Sequence, residues 1–245
     1  MKKTSSNRNY PERAGETRKK ILHAAIREFS THGLAGARTD SIAESARVNK
    51  ALLYYYFKSK SALYDAALVD VAETVAERTM AVFDPKYSAG ERLLRAALNH
   101  FDRITAQGEL QSLMQQEMVR VRLGERGAMP LLVKKFFKPV LQKFEQTVLE
   151  GIHTGELCPS DGLQVVYSML GANVFYFLSA PMMRLALPFH PLNKASIASR
   201  RNAAIHFLGS ALFADRARGA KLAKDVLATT PMPKLRKSQV WRKLS

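Results

Sequence analysis

One cysteine, Cys158, stands in 245 residues. A lone cysteine forms no internal disulfide, so no disulfide framework holds this chain together, and a reducing cytoplasm is the compartment expected. No apolar run reaches the roughly 20 residues that span a bilayer, and the start, Met1-Lys2-Lys3 followed by polar residues, lacks the apolar stretch of a signal peptide. Glycine and proline are sparse, at 13 and 10. No strand alternation and no internal repeat stands out. The six histidines have no metal-ligand spacing such as His-x-x-x-His, and Cys158 has no cysteine partner for zinc. Neither Gly-x-Ser-x-Gly nor a phosphate-cradling glycine loop occurs. The expectation is no enzyme, no metal, no cofactor and no membrane partner.

Acidic residues are also short, with 21 Asp/Glu against 38 Lys/Arg and a net charge of +17. The excess sits at the ends. Residues 1–64 carry +8 and residues 214–245 carry +7, whereas the 149 residues between them carry only +2. Cationic ends suit polyphosphate, because each Lys or Arg that neutralises a phosphate releases a counterion. Solvated tails would show the same charge.

Alanine, leucine and basic residues favour helix, and the apolar spacing supports an all-α chain. Residues 1–14 read as a disordered basic arm. From Thr17, the stripe Ile21, Leu22, Ala25, Ile26 and Phe29 marks a helix that stops near Gly33. Thr39 or Asp40 is a candidate N-cap for a short helix carrying Ile42, Ala43 and Ala46. After Arg47-Val48-Asn49, Lys50 to Phe57 forms another. A long helix opens at Ser59 or Ser61 and ends before Asp84-Pro85. Further helices are expected over about 89–106, 109–123, 131–153, 161–178 and 195–216. Pro181, Pro188 and Pro191 bound an irregular link. Residues 217–245 read as a basic, disordered tail, in which Lys234, Arg236, Lys237, Arg242 and Lys243 form a mobile cationic arm.

Two short helices separated by a tight break have the pattern of a helix-turn-helix, whose second helix lies in the major groove. Leu53 and Phe57 are four apart and share its inner face. The other face offers Lys50, Ala51, Leu52, Tyr54 and Tyr56. Lysine donates to guanine edges or phosphates, apolar groups meet thymine methyls, and tyrosine hydroxyls hold phosphates. Tyr54-Tyr55-Tyr56-Phe57 also fits an aromatic core patch, but successive residues lie about 100° apart, so at least one tyrosine faces outward.

These residues resemble the head of TetR-family repressors. The resemblance is carried by Thr17-Arg18-x-x-Ile21-Leu22-x-Ala24-Ala25-x-x-x-Phe29-x-x-x-Gly33, then Thr39-x-x-Ile42-Ala43-x-x-Ala46, then Val48-x-Lys50-x-x-Leu53-Tyr54-Tyr55-Tyr56-Phe57-x-Ser59-Lys60-x-x-Leu63. It implies a three-helix DNA-binding head at 15–62 and a larger helical ligand-binding and dimerisation body at 63–216. It implies DNA contacts at Thr39, Lys50, Ala51, Leu52, Tyr54, Tyr56 and Lys60. The implied protein is a cytoplasmic, ligand-responsive, sequence-specific transcriptional regulator, a repressor by family default, acting as a homodimer on palindromic double-stranded DNA. Three positions depart from the pattern. Arg47 replaces the usual turn glycine, Asn49 the usual serine, and Ala51-Leu52 the usual Gly-Thr.

For the body, Met114, Glu117, Met118, Phe137, Phe144, Phe175 and Tyr176 are the candidates for lining an effector pocket, suited to an apolar small molecule with one or two polar groups. Ordinary core packing accounts for the same residues. The apolar helix at 161–178 and the final helix with Ile205, Leu208 and Leu212 suit a four-helix dimer interface, or packing within one subunit. The rival reading of the whole chain is an architectural nucleic-acid binder that uses its basic ends without sequence choice.

Overall fold

The computed structural model describes residues 10–125 and 127–234. Its helices are α1 (Tyr10–Gly36), α2 (Thr39–Ala46), α3 (Lys50–Phe57), α4 (Lys60–Met80), α5 (Ala89–Ala106), α6 (Gly108–Arg122), α7 (Met129–Leu132), α8 (Lys138–His153), α9 (Gly162–Ala186), α10 (Lys194–Leu212) and α11 (Arg216–Thr229). A π-helical turn, Val133–Phe137, joins α7 to α8. Among the described residues no strand forms, and a single bridge pairs Leu157 with Phe213.

Two compact units divide the chain. The first takes residues up to 73 together with 109–132, and the second takes 74–108 and 133 onward. The contacts therefore group α6 with the head helices, whereas the sequence reading placed it in one segment over 63–216.

In the first unit, Ile21, Leu22, Phe29, Ile42, Leu53, Leu63, Tyr64 and Leu68 are all fully buried. Phe29 of α1 meets Tyr64 of α4 edge to face, with ring centroids 5.0 Å apart. Gly33 breaks α1 at φ 67°, ψ 177°, a left-handed φ that suits glycine and a position where the stripe predicts a stop.

In the second unit, α5 carries the core. Leu93, Leu94, Ala97 and Leu98 pack with Phe144, Val148, Val166, Met169, Ile205 and Phe213. Ser88 caps α5 by accepting from the Glu91 N–H. The helix bounds 89–106 agree with the spacing in the sequence.

Three differences from the sequence expectations have physical causes. Residues 10–14 of the expected arm are helical, as the first turns of α1, while residues 1–9 lie outside the described set. Helix α9 continues through Pro181 to Ala186 instead of stopping at 178. Pro181 removes one N–H, but Phe177 and Ala180 beside it are buried, and that packing holds the turn. The result is a 25-residue helix that is long and apolar enough to cross a membrane by length and composition, the only such helix among the described residues. The helix expected from the sequence ends at 178, short of the roughly 20 residues a span needs.

The last difference lies beyond α10. Residues 216–229 form α11, where a disordered tail was expected. Asp215 caps it by accepting from the N–H groups of Ala217 and Arg218 at 2.9 and 3.1 Å. Its Gly219, Ala223 and Val226 are buried. Basic residues dominate its exposed face, which hid a stripe of small residues on the other. Arg236, Lys237, Arg242 and Lys243 lie outside the described residues.

The α10–α11 contact depends on two glycines. A Cβ on Gly209 would stand 2.6 Å from the Gly219 carbonyl oxygen, and a Cβ on Gly219 would overlap the Gly209 carbonyl oxygen and the Phe213 ring. Gly219→Val is therefore expected to destabilise the protein by at least roughly 1–3 kcal/mol, the usual cost of overpacking, measured as a lower midpoint in urea unfolding.

Candidate nucleic-acid interface

An eight-residue helix needs its ends held, and α3 is held at both. At its start, Asn49 Oδ1 accepts from the Leu52 N–H at 2.7 Å. At its end, the Lys58 N–H donates to the Tyr54 carbonyl at 2.9 Å, with Lys58 at φ 60°. The turn before α3 places Arg47 in the left-handed region, φ 57°, ψ 45°. Its N–H closes onto Glu44 O at 3.0 Å, and the Val48 N–H onto Ala43 O at 3.0 Å. Arg47 therefore adopts the geometry that glycine would take, at a cost of about 1–2 kcal/mol.

Burial fixes which face looks outward. Leu53 and Phe57 are buried, as their spacing predicts. Lys50 and Ala51 are exposed, Leu52, Tyr54 and Tyr56 are half-buried, and Tyr55 is 70% exposed. Tyr55 is the outward tyrosine that helical geometry requires. It stacks edge to face on Tyr56 at 5.5 Å, and Lys58 Nζ lies 5.5 Å from its ring centroid. Tyr55 is not among the DNA contacts expected from the sequence, and Lys58 is expected there only as lying close to the backbone. Their position beside the outward face of α3 was the available signal.

Two predicted DNA contacts prove to be engaged within the head. Thr39 was a candidate N-cap, but it is the first residue of α2 and the cap position falls to Arg38, whose side chain makes no capping bond. The Thr39 hydroxyl is buried 3.3 Å from Tyr54 Oη, tying α2 to α3. Lys60 Nζ donates to the carbonyls of Ala35 and Ala37, both at 3.1 Å. Two of its three donors thus close the end of α1. Lys50 is paired as well, with Nζ 3.0 Å from Asp40 Oδ1. The hydrogen bond to Asp40 raises its pKa above the usual lysine value. Elsewhere in the head, Arg27 Nη2 donates to Ser45 Oγ at 3.0 Å, and the Arg18 guanidinium lies 5.2 Å from the Phe57 ring centroid.

The effector-pocket candidates scatter. Met114, Glu117 and Met118 belong to the first unit and Phe137, Phe144, Phe175 and Tyr176 to the second. Met118 is 58% and Phe175 63% exposed, so neither lines an interior in the chain described. Phe144 is core, edge to face with Phe83 at 4.8 Å. Met114 and Phe137 are half-buried. Tyr176 Oη donates to the Pro191 carbonyl at 2.5 Å. Glu117 is buried, with Oε2 held by Arg120 Nη1 at 2.9 Å, and burial raises its pKa. An open cleft of about 810 Å³ in the first unit is lined by Leu34, Lys60, Gln115, Val119 and Arg120 among others, and by none of the candidates. Among the described residues no group of three His, Cys, Asp or Glu could hold a metal ion.

Residues 21–67 match the family model of bacterial regulatory proteins, tetR family. The HTH-type transcriptional repressor SCO4008 of Streptomyces coelicolor is 48% identical over 52 residues, 21% of this chain and 27% of that one. The chain thus spans about a quarter of that relative's length. The choline complex of a transcriptional regulator from Saccharomonospora viridis superposes with a TM-score of 0.68 at 18% identity, covering 82% of this chain and all of that one. The regulator FadR of Bacillus subtilis, solved with stearoyl-CoA, gives 0.61 at 19% identity, covering 78% and 96%. At such identities the likeness is one of fold.

If Arg47 stores strain in the turn, glycine should relieve it. Arg47→Gly is expected to stabilise the protein by about 1 kcal/mol, and Asn49→Ala to destabilise it by a similar amount through loss of the cap. Thermal melting of the two variants checks both signs.

Proposed function

We propose that this chain, which belongs to the TetR family of bacterial regulatory proteins, is a ligand-responsive transcriptional repressor that binds a palindromic operator as a homodimer. The observation that carries this reading is the exposed face of α3. It presents Lys50, Ala51 and Tyr55 outward with Leu52, Tyr54 and Tyr56 beside them, on a helix capped at both ends.

In this reading α3 enters the major groove. Lys50 reaches a base edge or phosphate, Ala51 and Leu52 meet apolar groups such as thymine methyls, and the tyrosine hydroxyls and Lys58 hold phosphates. Thr39 and Lys60 act chiefly as positioning residues, fixing Tyr54 and the end of α1, with one donor of Lys60 left for phosphate. The Lys50–Asp40 pair is exposed, so it contributes little stability and yields readily to DNA.

A second copy is the partner that best suits the outer face of α9 and α10. Leu163, Tyr167, Phe175, Leu178 and Met182 lie four, eight, three and four residues apart along α9 and are 46–67% exposed, and Phe207 of α10 is 70% exposed. A stripe of that size on a soluble protein marks a contact surface. The same stripe explains why Phe175 does not line an interior. An effector that favours one conformation of the body shifts the population of dimers able to reach successive major grooves. The choline and stearoyl-CoA complexes of the structural neighbours support an effector of small-molecule class.

Two tests follow. In fluorescence anisotropy against DNA flanking the gene, Lys50→Ala should weaken specific binding about tenfold and reduce the salt slope by about 1. Asp40→Asn should strengthen binding by freeing Lys50. Equal affinity for scrambled DNA would instead favour an architectural binder. For assembly, the double variant Phe175→Glu, Leu178→Glu should run at the 27.4 kDa of one chain in light scattering, while the native protein runs at twice that mass. A native monomer would reject the dimer.

A further inference from the structure

Arginine keeps its proton in a protein, and a buried guanidinium is costly unless a counter-charge is near. The second unit satisfies two of its buried arginines in that way. Arg92 pairs with Glu150. Arg201 makes a bidentate pair with Asp102 at 2.7 and 2.8 Å and also donates to the Thr230 carbonyl at 2.9 Å.

Arg103 of α5 is different. Its Nη1 donates to Thr79 Oγ1 at 3.2 Å and to Asn99 Oδ1 at 3.3 Å, both neutral. Among the described residues it has no carboxylate partner. Burial, and then the like charge of Arg78, push its pKa down to about 10. The remaining guanidinium donors carry a positive charge that no described carboxylate of this unit pairs with.

His100 lies one turn earlier on α5, and Asn99, His100 and Arg103 share one face by their spacing of three and four. Burial keeps the imidazole neutral, its pKa pushed down to about 3. Asn173 Nδ2 is fixed as a donor by the Ala97 carbonyl, 3.0 Å away, and it also lies 3.4 Å from His100 Nδ1. Nδ1 is then the acceptor, and the ring hydrogen sits on Nε2. The face therefore offers a fixed cation and a neutral N–H donor. That set matches a carboxylate, which takes a bidentate guanidinium and a further donor, and it does not match a cation.

We propose that Arg103, with His100 beside it, anchors the carboxylate of a small organic acid, and that such an acid is the effector. This rests on the ligand-responsive reading above and names the chemistry of its ligand.

The test uses the full chain with octanoate and benzoate, each against its neutral amide, in thermal melting at fixed pH and ionic strength. An acid should raise Tm with concentration and its amide should not. Arg103→Gln should weaken the effect of the acid by at least about 30-fold, the cost of removing one partner of a buried charge pair, and Arg103→Lys should keep part of it. Without ligand, Arg103→Gln should melt no lower than the native protein, because it removes a half-buried charge that has no carboxylate beside it. A large drop in ligand-free Tm would make the guanidinium structural and overturn the proposal. Equal shifts from the amides, or no shift from either acid, would overturn it too. DNA affinity read in the same solutions separates the two ideas. An amide that releases DNA keeps the regulator and sinks the anion site. An acid that shifts Tm without changing DNA affinity keeps the site and sinks the response.

Discussion

An eight-residue helix is too short to hold itself together in water, so α3 depends on what buries Leu53 and Phe57 and on what closes its ends. The burial comes from the head core that also holds Phe29, Ile42 and Tyr64. The closure comes from Asn49 before it and from the Lys58 turn after it. Each of these constraints also fixes orientation. With Leu53 and Phe57 inward, 100° per residue leaves Lys50, Ala51 and Tyr55 outward. The surface that reads DNA in this account is thus the remainder after packing is satisfied. Several polar groups that could have faced DNA serve the packing instead. The Thr39 hydroxyl goes to Tyr54, and Lys60 closes the end of α1.

The second unit follows a similar economy around α5. Its apolar face supplies core on one side, and its polar residues are nearly all spent on named partners. Asp102 answers Arg201, and Asn173 answers the Ala97 carbonyl. Arg103, by contrast, has only the neutral side chains of Thr79 and Asn99 as hydrogen-bond partners. On the outer side, α9 leaves an apolar stripe that no described residue of this unit covers.

The head was legible because its constraints are local. Caps, turn and inner face all lie within 48 residues, and Leu53 with Phe57 indicates the buried side directly. The strained turn at Arg47 was visible as a departure, and the left-handed φ gives it a conformation. Thr39 and Lys60 also serve the packing of the head, because a side chain of the right chemistry and position for DNA has the same chemistry for a nearby hydroxyl or carbonyl. Helix α11 was hidden for another reason. Glycine and alanine make a buried stripe that carries almost no hydrophobic signal, so the lysines and arginines on its other face dominated the reading. Pro181 misled in the opposite direction, since tertiary packing overrides a single lost hydrogen bond. Size and polarisability, which mark the effector candidates in the sequence, do not distinguish core from surface. Phe144 went to the core and Phe175 to the outside. Arg103, half-buried on the polar side of α5 and bonded only to neutral side chains, carries more chemical information.

The central claim is that two copies of α3 read two half-sites. Hydroxyl-radical footprinting of the native protein on DNA flanking its own gene tests this most directly. The account predicts two protected patches on one face of the duplex, their centres separated by whole helical turns of about 10–10.5 base pairs, within an inverted repeat. A single patch, or uniform protection that does not depend on sequence, would contradict it.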